Sequence, residues 1–280
     1  MTDELDTIKA IHDPFEALRA ATQHMAVAQR QVTELSRLRK RLITDLRARG
    51  VTYTEIADRA GLTRGRIHQI RSAAPGPESA FLGDDEITIV TPLKKEATNA
   101  RPVVAVEDVA VASQVAQLAR SLGLEVKTEH VTLGGAVDLN RAGLIVVCGP
   151  RLSQPVADVL AGDPYIAFER DTDQVWTLVD RTTGRRYRSG SDQVPAEPHD
   201  AAYLGRLARP DGLGSIVVFT GIHPPGSLGI AHLLTTRIDE LYREVGESRF
   251  SAVVMTHYDP DTHEPTQVEL ATPLYRHQGA

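Results

Sequence analysis

Between Val51 and Ser72 the chain reads VTYTEIADRAGLTRGRIHQIRS, and its hydrogen-bonding side chains fall on one side of a helical repeat. With Arg64 to about Arg71 taken as a helix, Ile67 and Ile70 turn inward together with Leu62. Arg64, Arg66, His68, Gln69 and Arg71 are left on the outside beside Gly65. Guanidinium, imidazole and carboxamide groups so arranged read guanine and adenine edges and grip phosphate. Thr63 is placed to cap this helix, and Gly61 stands where the chain must turn with a positive φ. Ahead of the turn, Tyr53 to Ala60 carries Ile56, Ala57 and Ala60 at helical spacing, a short amphipathic helix with a small residue where a second helix comes close. A helical hairpin that merely packs would show the same periodicity and is the plain alternative.

Over about residues 37 to 72 the chain resembles a helix-turn-helix, and GLTRGRIHQI is similar to the turn and recognition helix of region 4 of the sigma-70 factors. Ala57, Gly61, Leu62, Ile67 and Ile70 match that pattern one by one, while Gly65 stands where an acidic or larger residue is usual. The resemblance implies that the second helix enters the major groove of double-stranded DNA. Charge agrees with this. Arg37 through Arg71 contains ten Lys and Arg against three Asp and Glu, although the whole chain carries a net charge of -6.

A different chemistry is offered where two apolar runs break into glycine-bearing loops. Leu144 to Cys148 runs into Gly149-Pro150-Arg151-Leu152-Ser153, then a helix over Pro155 to Leu160. Ile216 to Thr220 runs into Gly221-Ile222-His223-Pro224-Pro225-Gly226-Ser227-Leu228-Gly229, then a helix to Val245. Loops at the carboxyl ends of parallel strands are where open α/β sheets bind ligands, and amides at a helix start favour anions. Gly149, Arg151, Ser153, Gly221, His223, Gly226, Ser227 and Gly229 are therefore candidates for lining a nucleotide or phosphorylated small-molecule site. The alternative is that the glycines only allow tight turns. Gly221 and Gly226 have Walker-type spacing, but Ser227 occupies the lysine position and Leu228 the hydroxyl position, so triphosphate hydrolysis is not expected.

No catalytic residue, metal or cofactor is assigned. His223, Ser227 and Asp180 make a weak Ser/His/Asp set without a G-x-S-x-G elbow. Cys148 reads as a small buried hydrophobe, and His257 and His263 with Asp259 and Asp261 read as a polar turn before a metal site. Arg181, Arg185, Arg186 and Arg188 read as largely solvated hairpin residues. Asp200, Tyr203 and Arg206 are candidates for completing a polar pocket beside the second loop.

These groups need a scaffold. Residues 1 to 12 read as a mobile lead, and Asp13-Pro14 as a helix start. From Phe15 to Arg49 there is no Gly or Pro, and Phe15, Leu18, Ala21, Met25, Ala28, Val32, Leu35, Leu38, Leu42 and Leu46 recur every three or four residues. One long helix or two nearly collinear ones should form. The N-terminal half of its stripe lies beyond reach of the two short helices, which points to a homodimer on paired half-sites. Ala73 to Asp85, AAPGPESAFLGDD, has linker composition. Beyond it, strands at Ile87 to Pro92, Val103 to Val106, Val126 to Val131, Leu144 to Cys148, Ser215 to Thr220 and Ser251 to Tyr258 alternate with helices at Val109 to Leu122 and Ser227 to Val245. Tyr165 to Glu169, Val175 to Asp180 and Arg186 to Arg188 form an antiparallel insertion. The expected fold is an all-α N-terminal helix-turn-helix domain over residues 1–72, a linker over 73–85, and an α/β domain over 86–280 with a mostly parallel sheet.

Length allows two modest cores, and a single cysteine excludes an internal disulfide framework. With no long apolar run, a cytoplasmic location and no membrane partner are expected. The reading that follows is a DNA-binding transcription regulator whose C-terminal domain senses a small anionic or nucleotide-like ligand. The alternatives are an enzyme that cleaves a nucleotide or nucleoside while tethered to DNA, and an interaction module with an inert sheet.

Overall fold

The computed structural model describes residues 2–73, 77–83, 85–96 and 101–277. Residues 74–76 and 84 of the expected linker lie outside that set. The chain divides into two compact units, 1–77 and 78–280.

The first unit is built from α1 (Thr2–Lys9), α2 (Pro14–Ala48), α3 (Tyr53–Ala60) and α4 (Arg64–Ala73). α1 corrects the expected mobile lead; it contains no Gly or Pro and ends with Lys9, a cation at the negative pole of the helix. α2 is a single helix of 35 residues, about 52 Å long at 1.5 Å per residue. Asp13 starts it by accepting the Phe15 amide at 2.8 Å, with Pro14 at the first helical position. The expected stripe does not enter the core even near the carboxyl end, where Leu38, Leu42 and Leu46 are exposed; α2 packs instead through Ile43, one residue off it. Ile43 joins Ile56, Ala57, Ile67 and Ile70 in a small core, whereas Phe15, Leu18, Met25, Val32 and Leu35 remain exposed.

The second unit opens with β1 (Glu86–Pro92), β2 (Lys94–Lys95), β3 (Pro102–Val103), α5 (Val106–Ser121), β4 (Glu125–Val131), β5 (Leu144–Val146) and α6 (Gln154–Ala161). The antiparallel insertion follows as β6 (Ile166–Arg170), β7 (Trp176–Asp180) and β8 (Arg186–Tyr187), a separate three-stranded sheet. The unit closes with β9 (His199–Ala208), β10 (Ser215–Gly221), α7 (Pro224–Val245), β11 (Phe250–Tyr258), β12 (Pro265–Leu270) and β13 (Tyr275–Arg276).

The main sheet runs β12-β11-β9-β10-β5-β1-β4, with β13 paired to β11. It is mixed. β4, β1, β5 and β10 pair in parallel, while β10 with β9, β9 with β11, and β11 with β12 and β13 pair antiparallel. Alternation along each strand sends residues to opposite faces. Ile87, Ile89, Phe219, Ala202, Leu204 and Phe250 pack beneath α5 and α7, while Val90, Val146, Val218, Tyr203 and Val253 pack beneath α6 and the small sheet. The result is a covered α/β layer structure.

Two further expectations are corrected, and one unassigned stretch gains an element. The stretch expected as a strand at Val103 to Val106 is a two-residue bridge followed by α5, which starts at Val106 because Glu107 and Asp108 suit a helix amino end. Asp200 to Arg206, to which no element was assigned, forms the centre of β9, buried on both faces despite its polar residues. Part of the expected linker is core: Phe81 is fully buried and packs on Phe250 with ring centroids 5.4 Å apart.

Candidate functional site

In the first unit the outward groups are held by the turn between α3 and α4. Thr52 caps α3 by accepting the Glu55 amide at 3.2 Å, and Thr63 accepts the Arg66 amide at 3.0 Å to start α4. Gly61 between them has φ 65°, and the Leu62 amide donates back to the Ala57 carbonyl at 2.8 Å. That left-handed residue sets the angle at which α4 leaves. Ile67 and Ile70 are buried, and Arg64, Arg66, His68, Gln69 and Arg71 are all exposed. Two of these are braced. Arg66 donates to the Gln69 carboxamide oxygen at 3.2 Å, and the Arg71 guanidinium lies over the Tyr53 ring at 4.6 Å, with Arg47 at 4.5 Å from the same ring.

In the second unit the carboxyl ends of β1, β5 and β10 open into a cleft of about 490 Å³. Pro92 closes β1, Cys148 and Gly149 follow β5, and Thr220 and Gly221 end β10. Both glycine loops reach it, bringing together Gly149, Arg151, Gly221, His223 and Ser227. Arg151 ties one loop to the other by donating to the Ile222 carbonyl at 2.6 Å. The loops approach so closely that a Cβ on Gly149 would stand 3.0 Å from the Thr220 hydroxyl.

The remaining three candidates are used elsewhere. Ser153 is buried and donates to the Gly135 carbonyl at 2.6 Å, which anchors α6. Gly229 lies inside α7, where any Cβ would overlap the side chain of Thr256 on β11. Gly226 faces inward, its Cα 2.9 Å from the position of a Cβ on Gly221. Its amide donates to Asp200 Oδ2 at 2.9 Å, and the His223 amide donates to the same oxygen at 2.8 Å.

That carboxylate alters the reading of the second loop. Pro224 and Pro225 have no N–H, and Asp200 consumes two of the amides that an anion would need. The Gly221 amide is likewise occupied, by Ser227 Oγ at 2.9 Å. Asp200 is therefore an internal acceptor at the start of α7. Burial pushes its pKa up to about 7, against the opposing pull of the His223 amide, the Ser189 hydroxyl and the Gly226 amide. Ser189 lies close, yet its hydroxyl bonds to the His199 carbonyl at 3.3 Å, and Oδ1 has no donor in bonding geometry.

The cleft also contains residues that sequence patterning did not select. Lys94 pairs with Asp108 at 3.0 Å across the mouth of β1. Asp108 is raised by burial and held down in part by that ammonium. Phe168 and Trp176 come from the insertion, with ring centroids 6.3 Å apart and planes 74° to one another. Nothing in the local sequence ties these four to the glycine loops. Their placement follows from the crossover to β5 and the folding of the insertion over the sheet.

Other candidates resolve into structure. His223 Nε2 meets Asp192 at 2.9 Å, while Asp180 is occupied by the Thr182 amide, the Thr183 hydroxyl and Tyr275, so no Ser/His/Asp relay forms. Cys148 is buried, with its thiol pushed up to about 12 by desolvation and by nearby Asp108. Asp259 accepts the Asp261 and Thr262 amides at 2.9 Å, which closes the polar turn before β12. Arg186 and Arg188 pair with Glu169 and Asp171. Of the three residues proposed to complete the second loop, only Asp200 does so. Tyr203 points through the other face to Asp163 at 2.6 Å, and Arg206 sits at the far end of β9, donating to the Phe81 and Gly246 carbonyls at 2.8 and 2.9 Å.

No family model, curated protein or solved structure matches this chain. Among the described residues, no helix is long and apolar enough to cross a membrane.

Proposed function

We propose that this protein is a cytoplasmic DNA-binding transcription regulator: α3 and α4 act as a helix-turn-helix, and the cleft of the α/β unit senses a small anionic or nucleotide-like ligand. One observation carries the DNA half. On α4, Ile67 and Ile70 are buried while Arg64, Arg66, His68, Gln69 and Arg71 are exposed, so the donors occupy the face that the small core leaves open. In this reading Thr63 fixes the start of the recognition helix, Arg64 and His68 meet base edges, and Arg66, Gln69 and Arg71 share base and phosphate contacts. The sensing half rests on Arg151 and the two loops at the carboxyl ends of parallel strands. The committed states of Ser227 and His223 support a binding site over a cleaving one. The protein acts as a homodimer through the exposed stripe of α2, with two recognition helices on paired half-sites.

Enrichment from a pool of random duplexes, followed by gel-shift titration at fixed salt, tests the reading. Arg64→Ala is expected to weaken the enriched site by about 1–3 kcal/mol without changing the thermal midpoint, since the side chain is exposed. Full affinity in that variant, or no enrichment above bulk DNA, refutes the assignment.

A further inference from the structure

Phe168 and Trp176 are out of keeping with the rest of the cleft. Trp176 is the single tryptophan of the chain, and it sits only partly buried at the start of a strand whose next four residues are all buried. The Arg170 guanidinium lies over the indole at 5.0 Å from the ring centroid, and Trp176 also lines the cleft, where it offers aromatic surface to a ligand. Val147 and Cys148 supply an apolar floor beneath the same space.

The charges define the other end of the ligand. Lys94 is neutralised by Asp108, and His223 is engaged with Asp192. Among the described residues, Arg151 forms no ion pair; it uses one nitrogen on the Ile222 carbonyl and retains further donors. Asp200 already fills the amide cradle at the start of α7, so an incoming anion is directed away from that loop and toward Arg151. One uncompensated cation fits one acidic group. A triphosphate would bring charge that this lining does not balance.

We infer that the cleft binds a nucleoside monophosphate, with the base against the Phe168 and Trp176 rings and the single phosphate at Arg151. This rests on the sensing role proposed above for the same cleft, and it specifies the ligand. The lone tryptophan provides the signal, because its emission reports the cleft alone. The full chain is titrated with the four common ribonucleoside monophosphates, and with ribose 5-phosphate and inorganic phosphate as ringless controls. At least one monophosphate should change the emission saturably, at a concentration at least tenfold below that needed for ribose 5-phosphate. Arg151→Gln should weaken that ligand at least tenfold. Because Arg151 also holds Ile222, Trp176→Leu provides an independent check by calorimetry: it should lose affinity for the monophosphate while leaving the weak binding of ribose 5-phosphate unchanged.

Ribose 5-phosphate or inorganic phosphate binding as tightly as every nucleotide overturns the ring assignment but leaves an anion-sensing cleft in place. A nucleotide affinity indifferent to both substitutions places the ligand elsewhere. Absence of any response to all six compounds at millimolar concentration overturns the monophosphate proposal, and the sensing role of the cleft then stands or falls on a screen of carboxylate anions.

Discussion

Replacing Asp200 by asparagine should flatten the dependence of stability on pH. Its carboxyl is fully buried on β9, accepts two amides through one oxygen, and has a pKa raised by desolvation from 3.8 to about 7. The unfolded chain releases this proton near the ordinary carboxylate value while the folded chain retains it. Between those values the native state binds more protons, so its stability falls as pH rises and levels off above about 7. The contribution is fully present below the unfolded pKa. A difference of about three pH units, at about 1.4 kcal/mol each, corresponds to about 4 kcal/mol across the window. Asparagine can still accept both amides through its oxygen, and its amino group can donate to the Ser189 hydroxyl. Urea unfolding of wild type and Asp200→Asn at pH 5, 6, 7 and 8 isolates the group, because every other titration cancels in the difference. The wild type should lose stability relative to the variant by a few kcal/mol on going from pH 5 to 8. A constant difference over that range would show that Asp200 ionises normally and that the amide cradle, not burial, sets its charge.

Three further outcomes are expected. Gly229→Ala forces a methyl group into Thr256, so urea unfolding should show a loss of about 1–3 kcal/mol; an unchanged midpoint would mean that α7 does not rest this closely on β11. Ile67→Ala removes a fully buried side chain from the small core of the helical unit and should cost that unit about 2–5 kcal/mol, measured by circular dichroism on the full chain, with the transition of the α/β unit unmoved. Cys148 should resist a thiol reagent at pH 8 in the folded protein and react once unfolded; rapid labelling of the native state would contradict its burial.

What could be read from the sequence was whatever local rules dictate. Asp13-Pro14, Thr63 and Gly61 mark helix ends through capping and φ preferences that depend on a few neighbouring residues. The 3.6-residue period of Ile67 and Ile70 and the apolar run of β5 likewise reveal which side is buried without knowledge of a partner. β9 escaped because Asp200, Gly205 and Arg206 interrupt the apolar alternation; each is tolerated only because a distant backbone group or side chain meets it, as the Phe81 and Gly246 carbonyls meet Arg206. The acidic helix α1 and the polar edge strand β12 escaped for the opposite reason, since elements with little buried surface leave little pattern.

The cleft divides in the same way. Gly149, Arg151, Gly221, His223 and Ser227 were legible because a strand that ends in a glycine loop places them at a sheet edge, whatever the rest of the chain does. That Asp200 takes the amides of the second loop, that Lys94 is neutralised by Asp108, and that Phe168 and Trp176 form a wall were decided only when strands far apart in sequence became neighbours. Capping and periodicity act over a few residues along the chain, whereas desolvation and charge pairing depend on distance through space, and only the folded sheet sets those distances.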